Sequence, residues 1–294
     1  MPIRINLNGD VTQEASISVL DHGFLFGDSV YEVVVTHKGV PCFMEAHLKR
    51  LRNSAAGLCL GIPWTDEFLI REINRTIKEA GNEESYVRIM VTRGEGDIDI
   101  DPTTCSRPSF IILVNEVHLY PPVQYEKGIN IALVSVIRNA KDAVNPGIKT
   151  GNYLNNVLAK LEANRKGAQD ALMLNNQGHL TECTTSNFFF VSEGRVLTPS
   201  LDCGILAGIT RVRVLELAEE NGILVEEGEW PPEILEKAEE AFITGTVKKV
   251  MPVSHLDGHP VGDGMPGPVT RRLMRLYETM LDQAIKKTEQ PSGK

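Results

Sequence analysis

Apolar and polar residues alternate in Ile3-Arg4-Ile5-Asn6-Leu7, which predicts a strand over 3–7 and a turn at Asn8-Gly9-Asp10. The β-branched run Val30-Tyr31-Glu32-Val33-Val34-Val35-Thr36 predicts a second strand, and Lys38-Gly39 turns it back into a third over 40–43. The period then changes. Leu48, Leu51, Ala55 and Leu58 share one face of a helix over 45–58, and Thr65 can cap a second helix carrying Phe68, Ile73 and Ile77. Strands return at 86–92 and 110–114. Pro121-Pro122 then interrupts the pattern, because a proline pair suits neither a helix interior nor a central strand.

Beyond that break the pattern predicts a strand over 129–137 and a helix over 152–166 with Leu154, Val157, Leu158 and Leu161 as its apolar positions. Strands follow at 170–174 and 187–191, then a helix over 209–221 stopped by Gly222 and a short helix opened by Pro231-Pro232. Strands at 241–244 and 250–256 precede a last helix over 269–285, and the polar tail 286–294 is expected to fray. The expected organisation is a small α/β domain over 1–120, a linker over 121–126 and a larger domain over 127–294.

Composition narrows the function classes. The 294 residues are 42% hydrophobic and 23% charged, ordinary values for a globular protein. A net charge of −9 argues against a nucleic-acid surface. No apolar run is long enough to cross a bilayer, and the N-terminus lacks the apolar core of a signal peptide. Five scattered cysteines and seven dispersed histidines indicate neither a disulfide framework nor a metal site. A reducing cytoplasm is the expected compartment.

Candidate chemistry centres on Lys149, set between Pro146-Gly147 and Gly151 just before a helical stretch. An amine held there can meet a carbonyl carbon, and desolvation or a second cation would make it nucleophilic; a solvated loop lysine is the plainer alternative. Gly204-Ile205-Leu206-Ala207-Gly208-Ile209-Thr210-Arg211 runs into a helix start, where backbone N–H groups favour an anion; an ordinary start capped by Thr210 is the alternative. Thr244-Gly245-Thr246-Val247 can present donors to the same anion, or simply turn the chain. Glu182, in a small polar run before Phe188-Phe189-Phe190, needs a cationic partner if buried: a protonated pyridine nitrogen, or an arginine. An amine, anion donors and a carboxylate are together what pyridoxal 5′-phosphate requires.

The chain resembles the class IV aminotransferases, the fold-type IV pyridoxal-phosphate enzymes. The resemblance extends from about Ile5 to Tyr277 and rests on motifs in order. They are His22-Gly23 with Gly27-Asp28-Ser29-Val30-Tyr31-Glu32, His47-Leu48-Lys49-Arg50-Leu51, Lys149-Thr150-Gly151-Asn152-Tyr153-Leu154, and Leu180-Thr181-Glu182 with Ser186-Asn187-Phe188. Leu206-Ala207-Gly208-Ile209-Thr210-Arg211 and Thr244-Gly245-Thr246 through Pro252-Val253 complete the set. It implies an α/β fold of two domains, the C-terminal one a pseudo-barrel, and a homodimer or higher homo-oligomer. It implies Lys149 as covalent anchor and proton carrier, Glu182 on the pyridine nitrogen and Tyr153 on the phenolic oxygen. Arg50, Ile209, Thr210 and Thr246 would hold the phosphate, Leu206 would pack on the ring, and His47 would be structural.

For the substrate, Tyr86-Val87-Arg88 and the loop Arg93-Gly94-Glu95-Gly96-Asp97-Ile98-Asp99-Ile100-Asp101-Pro102 resemble branched-chain enzymes. Phe26, reaching in from a partner subunit, would line the pocket with Tyr31, Tyr86, Thr246 and Val247, and Arg88 would receive a distal carboxylate. The alternative for Arg88 is a plain ion pair with an acid such as Glu32. The expected reaction moves an amino group between a branched-chain L-amino acid and 2-oxoglutarate. Val30-Tyr31-Glu32-Val33-Val34 is instead closer to the D-specific type, which keeps a D-amino acid or (R)-amine transaminase as the alternative. Aminodeoxychorismate lyase and a pyridoxal-phosphate-binding protein without turnover are further alternatives.

Overall fold

The computed structural model describes residues 3–289. The chain forms two compact units. One takes the chain up to His118, the segment Ile148–Asn152 and the chain from Leu281 on; the other takes Leu119–Gly147 and Tyr153–Met280.

The first unit contains β1 (Arg4–Leu7), β2 (Asp10–Thr12), α1 (His22–Leu25), β3 (Ser29–His37), β4 (Val40–Pro41), α2 (Met44–Gly57), α3 (Asp66–Ala80), β5 (Ser85–Thr92) and β6 (Ser109–Glu116). Among the described residues these strands form a six-stranded antiparallel sheet in the order β2-β1-β6-β5-β3-β4. Strand alternation sends Val30 and Val34 of β3 and Val87, Ile89 and Val91 of β5 into one core with Leu48 and Leu51 of α2 and Leu69 and Ile73 of α3. The Thr65 hydroxyl caps α3 by accepting from the Phe68 N–H at 3.2 Å, as its position before the helix suggests. The strand expected over 40–43 stops at Pro41, because Phe43 takes a left-handed conformation (φ 54°) at the start of α2.

The second unit contains α4 (Pro122–Lys127), β7 (Ile129–Leu133), α5 (Leu154–Arg165), β8 (Asp170–Leu174), β9 (Leu180–Cys183), β10 (Asn187–Ser192) and β11 (Arg195–Pro199). It continues through α6 (Ile209–Glu220), β12 (Val225–Gly228), β13 (Glu240–Gly245), β14 (Lys249–Leu256), β15 (His259–Pro260) and α7 (Pro268–Glu289), the last turns of α7 belonging to the first unit. Strands β10, β13, β14, β7, β8 and β9 follow one another in pairing, and β9 pairs back onto β10. The strands therefore close into a barrel-like ring, with β11 and β12 extending from β10 and β15 pairing with β14. Phe188, Phe189 and Phe190 are all buried, because both faces of β10 are covered. Phe188 stacks with Phe190, while Phe189 stacks on Phe242 of β13.

Three expectations are corrected here. The Pro121-Pro122 pair opens helix α4, since Pro122 takes the first helical position, where its missing N–H is not needed. The strand expected over 129–137 ends at Leu133. Helix α5 buries Asn156, Ala159 and Ala163 and leaves Leu154, Val157, Leu158 and Leu161 exposed. Small alanines pack it closely against Ala132 and Ala171 of the sheet, so its bulky residues face outward. The expected frayed tail lies partly outside the described residues, with α7 running to Glu289. Among the described residues no helix is long and apolar enough to cross a membrane.

Candidate active site

The first unit fixes Lys149 through its backbone. The 148–152 segment runs along the start of β3: the Tyr31 N–H donates to the Lys149 carbonyl at 3.0 Å, Gly151 N–H to the Ser29 carbonyl at 2.8 Å, and Val30 and Thr150 form a bridge. From α2, the Ser54 hydroxyl accepts the Lys149 N–H at 3.1 Å. A side chain at Gly151 would strike the Ser29 hydroxyl and force it to move, so glycine suits this close approach. The Lys149 ammonium lies 4.4 Å from the centre of the Tyr31 ring, and the Arg88 guanidinium lies 3.8 Å from the same centre.

Register explains why these side chains meet. Opposite residues of an antiparallel pair point to the same face, and Tyr31, Val33 and Val35 oppose Met90, Arg88 and Tyr86. Tyr31, Arg88 and Tyr86 therefore share one face of the β3–β5 pair. Glu32 points to the other, beneath α2. There its carboxylate accepts from Arg50 Nε at 2.6 Å and Nη2 at 2.8 Å, and from His47 Nδ1 at 2.7 Å. Glu32 is thus the partner of Arg50 and His47, and the alternative pairing of Arg88 with Glu32 gives way to the contact with Tyr31. His47 is buried in this cluster, consistent with a structural part. Phe26 ends α1 with its ring edge-on to His22 at 4.9 Å and is 39% exposed.

The second unit gathers the carboxylate and the anion donors around Asn187. Glu182 and Asn187 are the residue pair through which β9 meets β10, and Thr244 lies opposite Asn187 on β13. Glu182 Oε1 accepts from Arg138 Nε at 3.2 Å and Nη2 at 2.8 Å. Its Oε2 accepts from the Leu206 N–H at 3.1 Å and from Asn187 Nδ2 at 3.2 Å. Asn187 also donates to the Leu206 carbonyl at 2.9 Å. Arg138 is thus a partner of Glu182, the arginine that the sequence left as an alternative. Arg138 lies in no motif that the sequence offers, and Asn187 stands in the glutamate motif without a role of its own there.

Arg138 continues into a chain of buried bonds. Its Nη1 donates to the Asn156 side-chain oxygen at 3.3 Å, and Asn156 donates to the Thr184 carbonyl at 2.7 Å. The Thr184 hydroxyl donates to Asp170 at 2.5 Å, and the Lys248 ammonium donates to Asp170 at 2.7 Å, to Thr185 at 2.9 Å and to Ser186 at 2.8 Å. Burial opposes ionisation of both Asp170 and Lys248, yet each outweighs that cost for the other, holding the carboxyl pKa below and the ammonium pKa above its ordinary value.

Helix α6 begins at Ile209 with Thr210 inside its first turn; the N-cap is Gly208, which supplies no side-chain cap, so Thr210 is not the cap. A side chain on Gly208 would overlap the Asn187 oxygen, which keeps this helix start bare. Thr246 and Val247 lie in the turn after β13, and the preceding Thr244 has a buried hydroxyl without a partner among the described residues. Bare helix N–H groups and an orphaned hydroxyl suit a phosphate. Tyr153 starts α5 and follows Asn152 directly, so it lies four residues beyond Lys149 in the chain.

With these sites in place, the profile of the amino-transferase class IV family matches residues 29–256. The putative branched-chain-amino-acid aminotransferase of Methanocaldococcus jannaschii is 38% identical over 278 residues, covering 94% of this chain and 96% of that protein. The D-alanine aminotransferase of Listeria monocytogenes (strain 10403S) is 30% identical over 303 residues, covering 98% and 99%. The crystal structure of the branched-chain amino acid aminotransferase of Escherichia coli superposes with a TM-score of 0.90 at 30% identity, covering 95% of this chain and 94% of that one. The chain belongs to the class IV aminotransferases and has their mixed α/β, fold-type IV architecture. It is a pyridoxal-phosphate-dependent aminotransferase.

The Glu32 cluster sets an acid limit on the first unit. Burial works to raise the Glu32 pKa, but hydrogen bonds and charge from Arg50 and His47 outweigh it and hold it at about 2, against 4.5 for the free group. A depressed carboxyl pKa contributes stability above its unfolded value and loses it as pH falls through the folded one. Roughly 3 kcal/mol of stability should therefore disappear between pH of about 4.5 and 2. Urea unfolding followed down this range should show the loss in the parent and much less of it in Glu32→Gln; parallel slopes in the two proteins would refute it.

Proposed function

We propose that the enzyme binds one pyridoxal phosphate per chain and transfers an amino group between a branched-chain L-amino acid and 2-oxoglutarate. The bound cofactor supplies an aldehyde and a ring that withdraws electrons from the substrate α-carbon. Lys149 would hold the cofactor through its side-chain amine and would carry the proton taken from the substrate α-carbon. Glu182, paired with Arg138 and fixed by Leu206 and Asn187, holds the proton on the pyridine nitrogen. Tyr153 would donate to the cofactor's phenolic oxygen, and Leu206 would pack on its ring. Arg50, oriented by Glu32, joins the N–H of Ile209, the side chain of Thr210 and Thr246 in holding the phosphate.

The observation carrying the substrate assignment is the contact of Arg88 and Lys149 with one Tyr31 ring. A transaminase accepts an apolar amino acid and a dicarboxylate in one pocket. Tyr31, Tyr86, Phe26, Thr246 and Val247 supply its walls, and Arg88 places a cation near the reacting amine to receive the distal carboxylate. The 38% identity to the Methanocaldococcus relative supports this reading. A D-amino acid transaminase is the second reading, favoured by the Val30-Tyr31-Glu32-Val33-Val34 run and by the Listeria relative.

The active unit is proposed to be a symmetric dimer. Val19, Leu20, Phe24, Leu25 and Phe26 are all exposed, and α5 adds Leu154, Val157, Leu158 and Leu161. Exposed apolar side chains clustered in this way are normally covered by a partner, and the family resemblance implies that Phe26 reaches a neighbouring subunit's pocket.

Purified enzyme should absorb in the visible region, and borohydride should attach the cofactor to Lys149; a reduced adduct mapped to another lysine would displace Lys149 from its role. Lys149→Ala should lose turnover by several orders of magnitude. Arg88→Ala should cost glutamate and 2-oxoglutarate about 2–5 kcal/mol more in kcat/KM than leucine. Equal losses would remove its selective role, and parent activity on D-alanine without any on L-leucine would favour the second reading. Sedimentation should find dimers or larger assemblies, with Phe24→Asp shifting them toward monomer and lowering activity; a fully active monomer would refute the assembly.

A further inference from the structure

The second unit contains a cavity of about 310 Å³ apart from the residues assigned above, at the low end of the size range for small-molecule sites. Its polar lining is Tyr120, Gln124, Lys160, Asn164, Gln169 and Lys248. Ile129, Ala168 and Met251 supply an apolar side. Two ammonium groups and no carboxylate line it, in a chain of net charge −9.

The two lysines are not equivalent. Lys248 is saturated by Asp170, Thr185 and Ser186. Lys160 donates to the Gln169 carbonyl at 2.5 Å and meets no carboxylate within ion-pair distance among the described residues. Gln124, Asn164 and the Tyr120 phenol make no side-chain hydrogen bond within the described residues, so an amine, a phenol and two amides are available to one guest. Burial lowers the Lys160 pKa; Asp170 opposes this and Lys248 adds to it. An anion in the cavity would relieve the unmatched charge.

The geometry points to a binding site for a small monoanion, a carboxylate or a phosphate, held by Lys160 with Tyr120, Gln124 and Asn164. Lys248 is already neutralised by Asp170, so one negative charge balances the cavity. The apolar side gives a carboxylate with a short aliphatic tail a surface that phosphate cannot use. The site is independent of the substrate assignment, since Lys160 takes no part in the proposed catalytic machinery.

The test is calorimetric titration of the cofactor-loaded enzyme with inorganic phosphate and, separately, with isobutyrate. The parent should bind one anion per chain through Lys160, in addition to any carboxylate taken up at the amino-acid site, which Lys160→Met leaves intact. Lys160→Met should weaken it about tenfold or more while leaving kcat and KM near parent values, and Lys160→Arg should retain it. Asn164→Leu, an exposed change, should weaken it without altering the fold. Tighter binding of isobutyrate identifies a carboxylate site, and tighter binding of phosphate an oxyanion site. Absence of binding by the parent, or equal binding by the parent and Lys160→Met, overturns the proposal.

Discussion

The second unit depends on one residue pair. Strand β9 meets β10 through Glu182 and Asn187, and that contact closes the ring of strands. The closure also carries a buried charge. A carboxylate taken out of water is tolerable only when a cation and hydrogen bonds replace its hydration. Arg138, Asn187 and the Leu206 N–H supply them from three places in the chain. Strand pairing and charge compensation therefore stand or fall together, and the carboxylate proposed to meet the cofactor is fixed by the same contacts that close the barrel.

The first unit applies a related constraint by another route. Strand β3 pairs with β5, and the 148–152 segment bonds to its first residues, while β4 bonds farther along at Thr36 and His37. Lys149 lies outside the strands, yet its backbone is tied to β3 through Tyr31 and to α2 through Ser54. Such anchoring suits the covalent role proposed for Lys149. The opposite face of β3 contributes Glu32, so one short strand orients both Arg50 and the Tyr31 ring.

Cations in this acidic chain are matched where they are buried. Arg50 meets Glu32, Arg138 meets Glu182 and Lys248 meets Asp170. Compared with well-packed apolar residues in the same places these pairs add little net stability, because desolvation offsets most of the attraction. Their value is positional. Loss of one partner leaves the other buried and uncompensated, so alternative arrangements are disfavoured and the polar side chains keep a single geometry.

Much of this protein was determined along the chain. Strand alternation at 30–36 and 86–92, the Thr65 cap and the flanking glycines of Lys149 act over a few residues, and each reappears in the structure. The motif order likewise identified the family. Other features were decided only when distant segments met. The leucines of α5 carry a helical pattern that suggests a buried face, yet alanine packing against the sheet turned them outward. Arg138 lies 44 residues from Glu182, and the partner of Arg50 was fixed by which face of β3 lies under α2. Local pattern records backbone preference and periodicity, which depend on neighbours in sequence. The choice of ion-pair partner and of helix face depends on three-dimensional proximity and desolvation, and those exist only in the folded chain.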